Sequence, residues 1–184
     1  METLERFITA ADRVGARVVR CLDRTALVDY IARHAEGPVL LPDFASGRRL
    51  GLAEALRQSG CEVLTEHFRA GAARASAGVT GANFALADTG TVVLDSTDEA
   101  LRLASTLPQR HFVILDPRKI LPDGLAAVGP LRALQRRRSP DFIAFITGPS
   151  RTADIERVLT IGVHGPAELH ILLLEGVSED PLES

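Results

Sequence analysis

The run His111-Phe112-Val113-Ile114-Leu115-Asp116, closed by Pro117, decides the fold. Consecutive large apolar residues between polar ends, with proline as the stop, describe a strand buried on both faces. Such strands belong to parallel sheets whose connections are helices, and the flanking sequence supplies them. Upstream, Asp98 to Thr106 carries Ala100, Leu101, Leu103 and Ala104 at helical spacing, with Pro108 closing it. Downstream, Pro122 to Leu134 reads as a helix weakened by Gly124 and Gly129-Pro130. Phe142 to Ile146 then reads as a strand, Thr152 to Leu159 as a helix and Leu169 to Leu174 as a last strand.

Toward the N-terminus the alternation continues. A helix over about 3–15 presents Leu4, Phe7, Ile8, Ala11 and Val14, and Gly15 ends it. Val18 to Leu22 is a short strand, Thr25 to His34 a helix stopped by Gly37-Pro38, and Val39-Leu40-Leu41 a buried strand. Leu50 to Gln58 reads as a helix and Glu62 to Leu64 as another strand. The rhythm breaks near residues 82–95, where apolar runs flank Asp88-Thr89-Gly90-Thr91. The pattern fits a β-hairpin, Gly90 supplying the positive φ, and equally a plain turn. The polar tail, about 176–184, reads as frayed. The expectation is one α/β domain over 1–184, a mostly parallel sheet with helices on both faces.

Composition narrows the function. Of 184 residues, 46% are hydrophobic and 24% charged, as in soluble globular proteins. With 21 Lys and Arg against 24 Asp and Glu, the net charge is −3, and aromatic residues are only 4% with no Trp. A chain so balanced lacks the basic face and stacking platform that nucleic acid requires. The one basic run, Arg136-Arg137-Arg138, reads as a solvated loop or as a dock for an acidic partner. No apolar run approaches a membrane span, and Met1 to Arg6 lacks the core of a secretory signal, so a cytoplasmic location is expected. Cys21 and Cys61 are isolated and read as reduced.

Phosphate loops and dinucleotide fingerprints are missing, and no His or Cys spacing suits a metal, so none is expected. Gly148-Pro149-Ser150-Arg151-Thr152 is half of a serine-hydrolase elbow, but Thr152 stands where the second glycine belongs. As a loop between a strand and a helix, the same segment could hold an anion. Thr147, Gly148, Ser150 and Thr152 would offer donors and Arg151 its guanidinium. It could equally be a plain helix cap. Thr89, Gly90 and Thr91 would form the opposite wall. Asp88, and His164 between Gly162 and Pro166, are the candidate bases, with a backbone-bonded loop histidine as the plainer reading of His164. His111 and His170 open apolar strands and read as satisfied residues; His34 and His67 read as surface or helix-end positions.

Three stretches carry a resemblance: Val79-Thr80-Gly81-Ala82-Asn83 through Asp88 to Leu94, Leu107-Pro108 through His111, and Thr147 to Glu156 through Gly162-Val163-His164-Gly165-Pro166. Together they resemble the lactate utilization protein C family, the stand-alone LUD domain. The resemblance covers residues 60 to 175 strongly and the N-terminal third loosely. It implies a fold similar to the sugar-phosphate isomerase and coenzyme A transferase superfold. It also implies a non-redox component of a system oxidising L-lactate to pyruvate. The iron–sulfur clusters would sit on partner proteins and no cofactor on this chain. The ligand would be a small carboxylate or other anion, or a partner's acidic group. A free-standing acyl- or phosphoryl-group enzyme and a ligand-free regulatory or scaffold module are the alternatives.

Overall fold

A computed structural model describes residues 2–137, 142–152 and 160–184. The N-terminal half contains α1 (Glu2–Arg13), β1 (Arg17–Arg20), α2 (Arg24–His34), β2 (Val39–Leu40), α3 (Ala45–Arg49), α4 (Leu52–Gln58), β3 (Val63–Leu64), α5 (Phe68–Ala72) and β4 (Ala77–Gly81). The rest contains β5 (Phe84–Leu86), β6 (Thr91–Asp95), α6 (Glu99–Thr106), β7 (Arg110–Leu115), a 3₁₀ turn (Pro117–Lys119), β8 (Ile120–Leu121), α7 (Val128–Gln135), β9 (Ile143–Ile146), β10 (Arg151–Thr152), β11 (Thr160–Ile161) and β12 (Glu168–Leu173).

Six strands form one parallel sheet in the order β1-β12-β7-β4-β2-β3, with the expected β7 between β12 and β4. On one face, Val39, Val79, Phe112, Ile114 and Leu172 pack against Leu27, Val28 and Ile31 of α2 and Leu52 and Leu56 of α4. On the other, Val113, Leu115, Ile171 and Leu173 meet Phe7 and Ala11 of α1 and Ala85 and Val92 of a second sheet. Both faces are apolar, which is why these strands read as continuous rather than alternating runs. The architecture is therefore α/β with a parallel sheet between helices.

The second sheet has the order β8-β5-β6-β9, and its outer face packs Phe84, Leu86 and Val93 on Ala127 and Leu134. The hairpin expected near residues 82–95 is its centre: β5 and β6 are antiparallel, Gly90 has φ +68°, and the Gly90 N–H donates to the Leu86 carbonyl at 3.0 Å.

Three expectations need correction, and one strand lies outside them. The strand over Phe142 to Ile146 exists as β9, but it pairs antiparallel with β6 in the second sheet. The helix expected from Thr152 fails at its first residue, because Arg151–Thr152 pairs antiparallel with Thr160–Ile161. Its remainder, 153–159, lies outside the described residues. The tail is docked rather than frayed, with Val177 and Ser178 donating backbone N–H groups to the Asp116 carboxylate. Finally, β4 is an unforeseen strand. Its Ala77-Gly78-Val79-Thr80-Gly81 sequence has weak strand propensity, yet a side chain at Gly78 would fall on the Ala104 backbone of α6. Close helix–sheet approach, rather than local preference, selects glycine there.

Candidate functional site

The residues singled out in the sequence gather near the amino end of the parallel sheet. Pairing of Val92 with Ile146 sets Thr91 beside Thr147, and their hydroxyls bond at 2.8 Å. Thr89 bonds Thr91 at 2.7 Å, so three hydroxyls link the hairpin turn to the loop after β9. The Ser150 N–H donates to the Pro166 carbonyl and the Ser150 carbonyl accepts from the Gly162 N–H, both at 2.8 Å. These bonds bring the 148–152 and 162–166 loops together.

The wall expected between Gly90 and Gly148 is occupied by α1. A side chain at Gly90 would strike the backbone of Ala10 and Ala11, and one at Gly148 the Val14 carbonyl. Arg151 turns the same way and donates to the Val14 carbonyl, where it satisfies an acceptor just past the end of α1. Thr152 lies in β10 beside it. Because β9 pairs antiparallel at the edge of the second sheet, the rule that ligands collect at carboxyl ends of parallel strands does not apply to its loop.

On the other side of that loop lies a cavity of about 240 Å³. Thr147, Gly148, Ser150 and His164 line it, together with Ser105, Thr106 and His111. His164 is exposed at the rim; Asp88 is exposed on the hairpin turn and does not line the cavity. His111 departs most from its reading as a satisfied residue. Its Nε2 bonds the Thr80 hydroxyl at 2.8 Å, while Nδ1 is buried without a partner among the described residues. Burial lowers its pKa from 6.5 to about 3, so the ring is neutral at pH 7 and carries one hydrogen to share. His170, by contrast, is fully engaged, with Nδ1 on Tyr30 and Nε2 on Glu168, both at 2.9 Å. The cavity thus offers hydroxyls and imidazoles, and among its described lining residues no lysine or arginine.

Charge is also buried at the carboxyl end, in a cluster that no local pattern signals. Asp116, directly after β7, accepts from Arg118 and from the backbone of Val177 and Ser178. Burial alone would raise its pKa, but the Arg118 side chain and the backbone N–H groups of Arg118 and Ser178 more than offset it and hold the pKa low. Lys119 is buried, and its Nζ donates to the carbonyls of Ala82 and Glu183, each at 2.7 Å. Burial lowers its pKa to about 8 against the pull of Asp116 and Glu183. These partners come from loops far apart in the chain, so no spacing motif announces them.

Among the described residues, no cluster of His, Cys, Asp or Glu could hold a metal ion, and no helix is long and apolar enough to cross a membrane. Cys21 and Cys61 are free, and burial, with Asp23 adding to it, pushes the Cys21 thiol up to about 11.

The profile of the LUD domain matches residues 4–174. The chain belongs to the LUD domain family. This LUD domain is 32% identical over 156 residues to lactate utilization protein C of Anoxybacillus flavithermus, covering 82% of this chain and 69% of that one. Lactate utilization protein C of Bacillus subtilis is 32% identical over 161 residues, covering 81% and 67%. Among solved structures, a DUF162 family protein from Deinococcus radiodurans superimposes with a TM-score of 0.67 at 22% identity, over 94% of this chain and 96% of that one.

Proposed function

We propose that this LUD domain is a non-redox component of a system oxidising L-lactate to pyruvate, with the iron–sulfur clusters on partner proteins. The observation that carries the reading is the similarity to lactate utilization protein C, at 32% identity over 82% of the chain. The geometry refines the role of the loops. With Arg151 committed to Val14, the 148–152 and 162–166 pair presents Ser150, His164 and the neutral His111 ring as hydrogen-bonding groups. Exposed Phe145, Ile161 and Val163 surround them, half or nearly half accessible. Hydroxyls and imidazoles framed by apolar side chains suit a partner protein better than a bare anion. Asp88 and His164 do not share the cavity, which weighs against their acting together in an acyl- or phosphoryl-transfer step.

The test is complementation of a lactate-dependent growth defect in a host whose own copy is deleted. The wild-type chain should restore growth. Ser150→Ala combined with His164→Ala should impair growth and recovery of the iron–sulfur partners while leaving the circular dichroism unchanged. Failure of the wild-type chain to complement would overturn the lactate reading, and full activity of the double variant would overturn the role of the loops.

A further inference from the structure

The tail does more than cross the carboxyl end of the parallel sheet; it ends in a notch lined with donors. Arg49 holds it through the Val177 carbonyl at 3.2 Å and the Glu183 carboxylate at 2.5 Å. Arg137 donates to the Leu182 carbonyl at 2.6 Å. The adjoining residues then enter the notch, where Lys119 Nζ meets the Glu183 carbonyl and the Ser46 N–H donates to Ser184 at 3.0 Å. Gly81, the last residue of β4, makes the room. A side chain there would fall on Ser184, on Ser46 Oγ at 2.7 Å and on the Phe44 ring.

Two features of this notch are poorly matched by its occupant. Lys119 forms no ion pair among the described residues, and its ammonium rests on neutral carbonyls alone. Ser46 is 3% exposed, and its Oγ has no hydrogen-bond partner among the described residues. A buried ammonium with no carboxylate in hydrogen-bonding contact and a buried hydroxyl without a partner both cost free energy, and one carboxylate would relieve both. The notch also lies where open parallel sheets receive ligands. The adjoining crevice limits the charge: Asp43 is paired with Arg48, while Asp95 and Asp98 face the same space and would repel a second carboxylate.

We infer that the notch formed by Gly81, Ser46 and Lys119 binds a small monocarboxylate, and that residues 182–184 occupy it when the ligand is absent. The carboxylate replaces Glu183 on Lys119 and engages the Ser46 N–H and hydroxyl, and the tail lifts. Because tail and ligand compete, the observed affinity is the intrinsic one reduced by the fraction of molecules with the notch open. The site deepens the lactate reading by giving a monocarboxylate a place to bind, but its failure is distinguishable: it is tested by binding, and that reading by growth.

The experiment titrates the full chain with sodium pyruvate, against sodium chloride at equal ionic strength, by calorimetry and amide hydrogen exchange. Pyruvate should bind and accelerate exchange at Val177, Ser178 and residues 182–184, whereas citrate should not compete. Arg49→Ala, which loosens the tail from outside the notch, should tighten pyruvate binding several-fold. Lys119→Met should weaken it at least about tenfold. Should Lys119→Met not fold, Ser46→Ala, which removes only the unpartnered hydroxyl, should weaken binding several-fold without loss of stability. Absence of binding even in Arg49→Ala, binding indifferent to both notch variants, or a tail whose exchange pyruvate leaves unchanged would overturn the inference.

Discussion

Around the cavity at the amino end of the parallel sheet the polar groups are neutral: a row of three threonine hydroxyls, of which Thr91 is buried, and the buried His111 ring on Thr80. At the carboxyl end they are ionic, with Asp116 on Arg118 and Lys119 beneath the tail. The two ends also close differently. At the amino end, α1 lies backbone to backbone against Gly90, and its last turn meets Gly148 at Val14, leaving no room for side chains. At the carboxyl end the tail is held by side-chain and backbone hydrogen bonds that another ligand could take over. One end is shaped by steric fit and the other by exchangeable polar contacts, so the second is the end suited to letting something in.

The most severe way to break this contrast is Gly90→Ala. The added methyl would strike the Ala10 and Ala11 backbone from a position held at φ +68°. A loss of about 3 kcal/mol or more in denaturant-derived stability is expected, with α1 displaced. Asp116→Ala attacks the other end and should cost about 2–3 kcal/mol, since it strips the Arg118 bonds and both tail N–H partners. It should also speed proteolysis within 176–184, whereas Gly90→Ala should not.

Titration sharpens the same contrast. The His111 pKa is about 3 folded against 6.5 ordinarily, so below 6.5 the unfolded chain binds the extra proton. Stability therefore falls as pH drops from about 6.5 toward 3, and His111→Phe should flatten the upper part of that fall, leaving the Asp116 contribution at lower pH. Lys119 is lowered from 10.5 to about 8, again leaving the unfolded chain with more protons between those values. The Lys119 contribution to stability should therefore rise with pH across about 8 to 10.5, opposed above about 9 by the raised Cys21 thiol, and Lys119→Met should remove that rise. Two separate windows in a pH series of melting curves would assign one to each end; a single shared window would erase the distinction. The smallest effect belongs to Thr91→Val, which breaks the hydroxyl row and should cost about 1 kcal/mol without moving the tail.

Elements written as apolar runs, such as Val39-Leu40, His111 to Leu115 and Leu169 to Leu173, were legible because burial on both faces leaves a mark in every residue. The hairpin around Gly90 was legible because a positive φ demands a particular residue. What escaped was set by tertiary context. Gly78 and Gly81 look like strand breakers, yet β4 needs them because α6 and the tail approach so closely. Arg151-Thr152 reads locally as the start of a helix, and pairing with Thr160-Ile161 overrides that preference. Of the candidate residues, Thr147, Gly148, Ser150 and His164 meet at one cavity, while Asp88 does not join them and Arg151 closes α1. The carboxyl-end cluster of Ser46, Gly81, Asp116 and Lys119 is assembled from three separated segments, so no local pattern could reveal it.

Docking of Ser184 against Gly81 also bears on how the protein is handled in the laboratory. An affinity tag or fluorescent reporter joined to the tail would begin beside a seat on Gly81 too tight for even a methyl group on that strand. Such fusions should pull the last residues from their berth and yield a molecule whose behaviour differs from that of one labelled at Glu2.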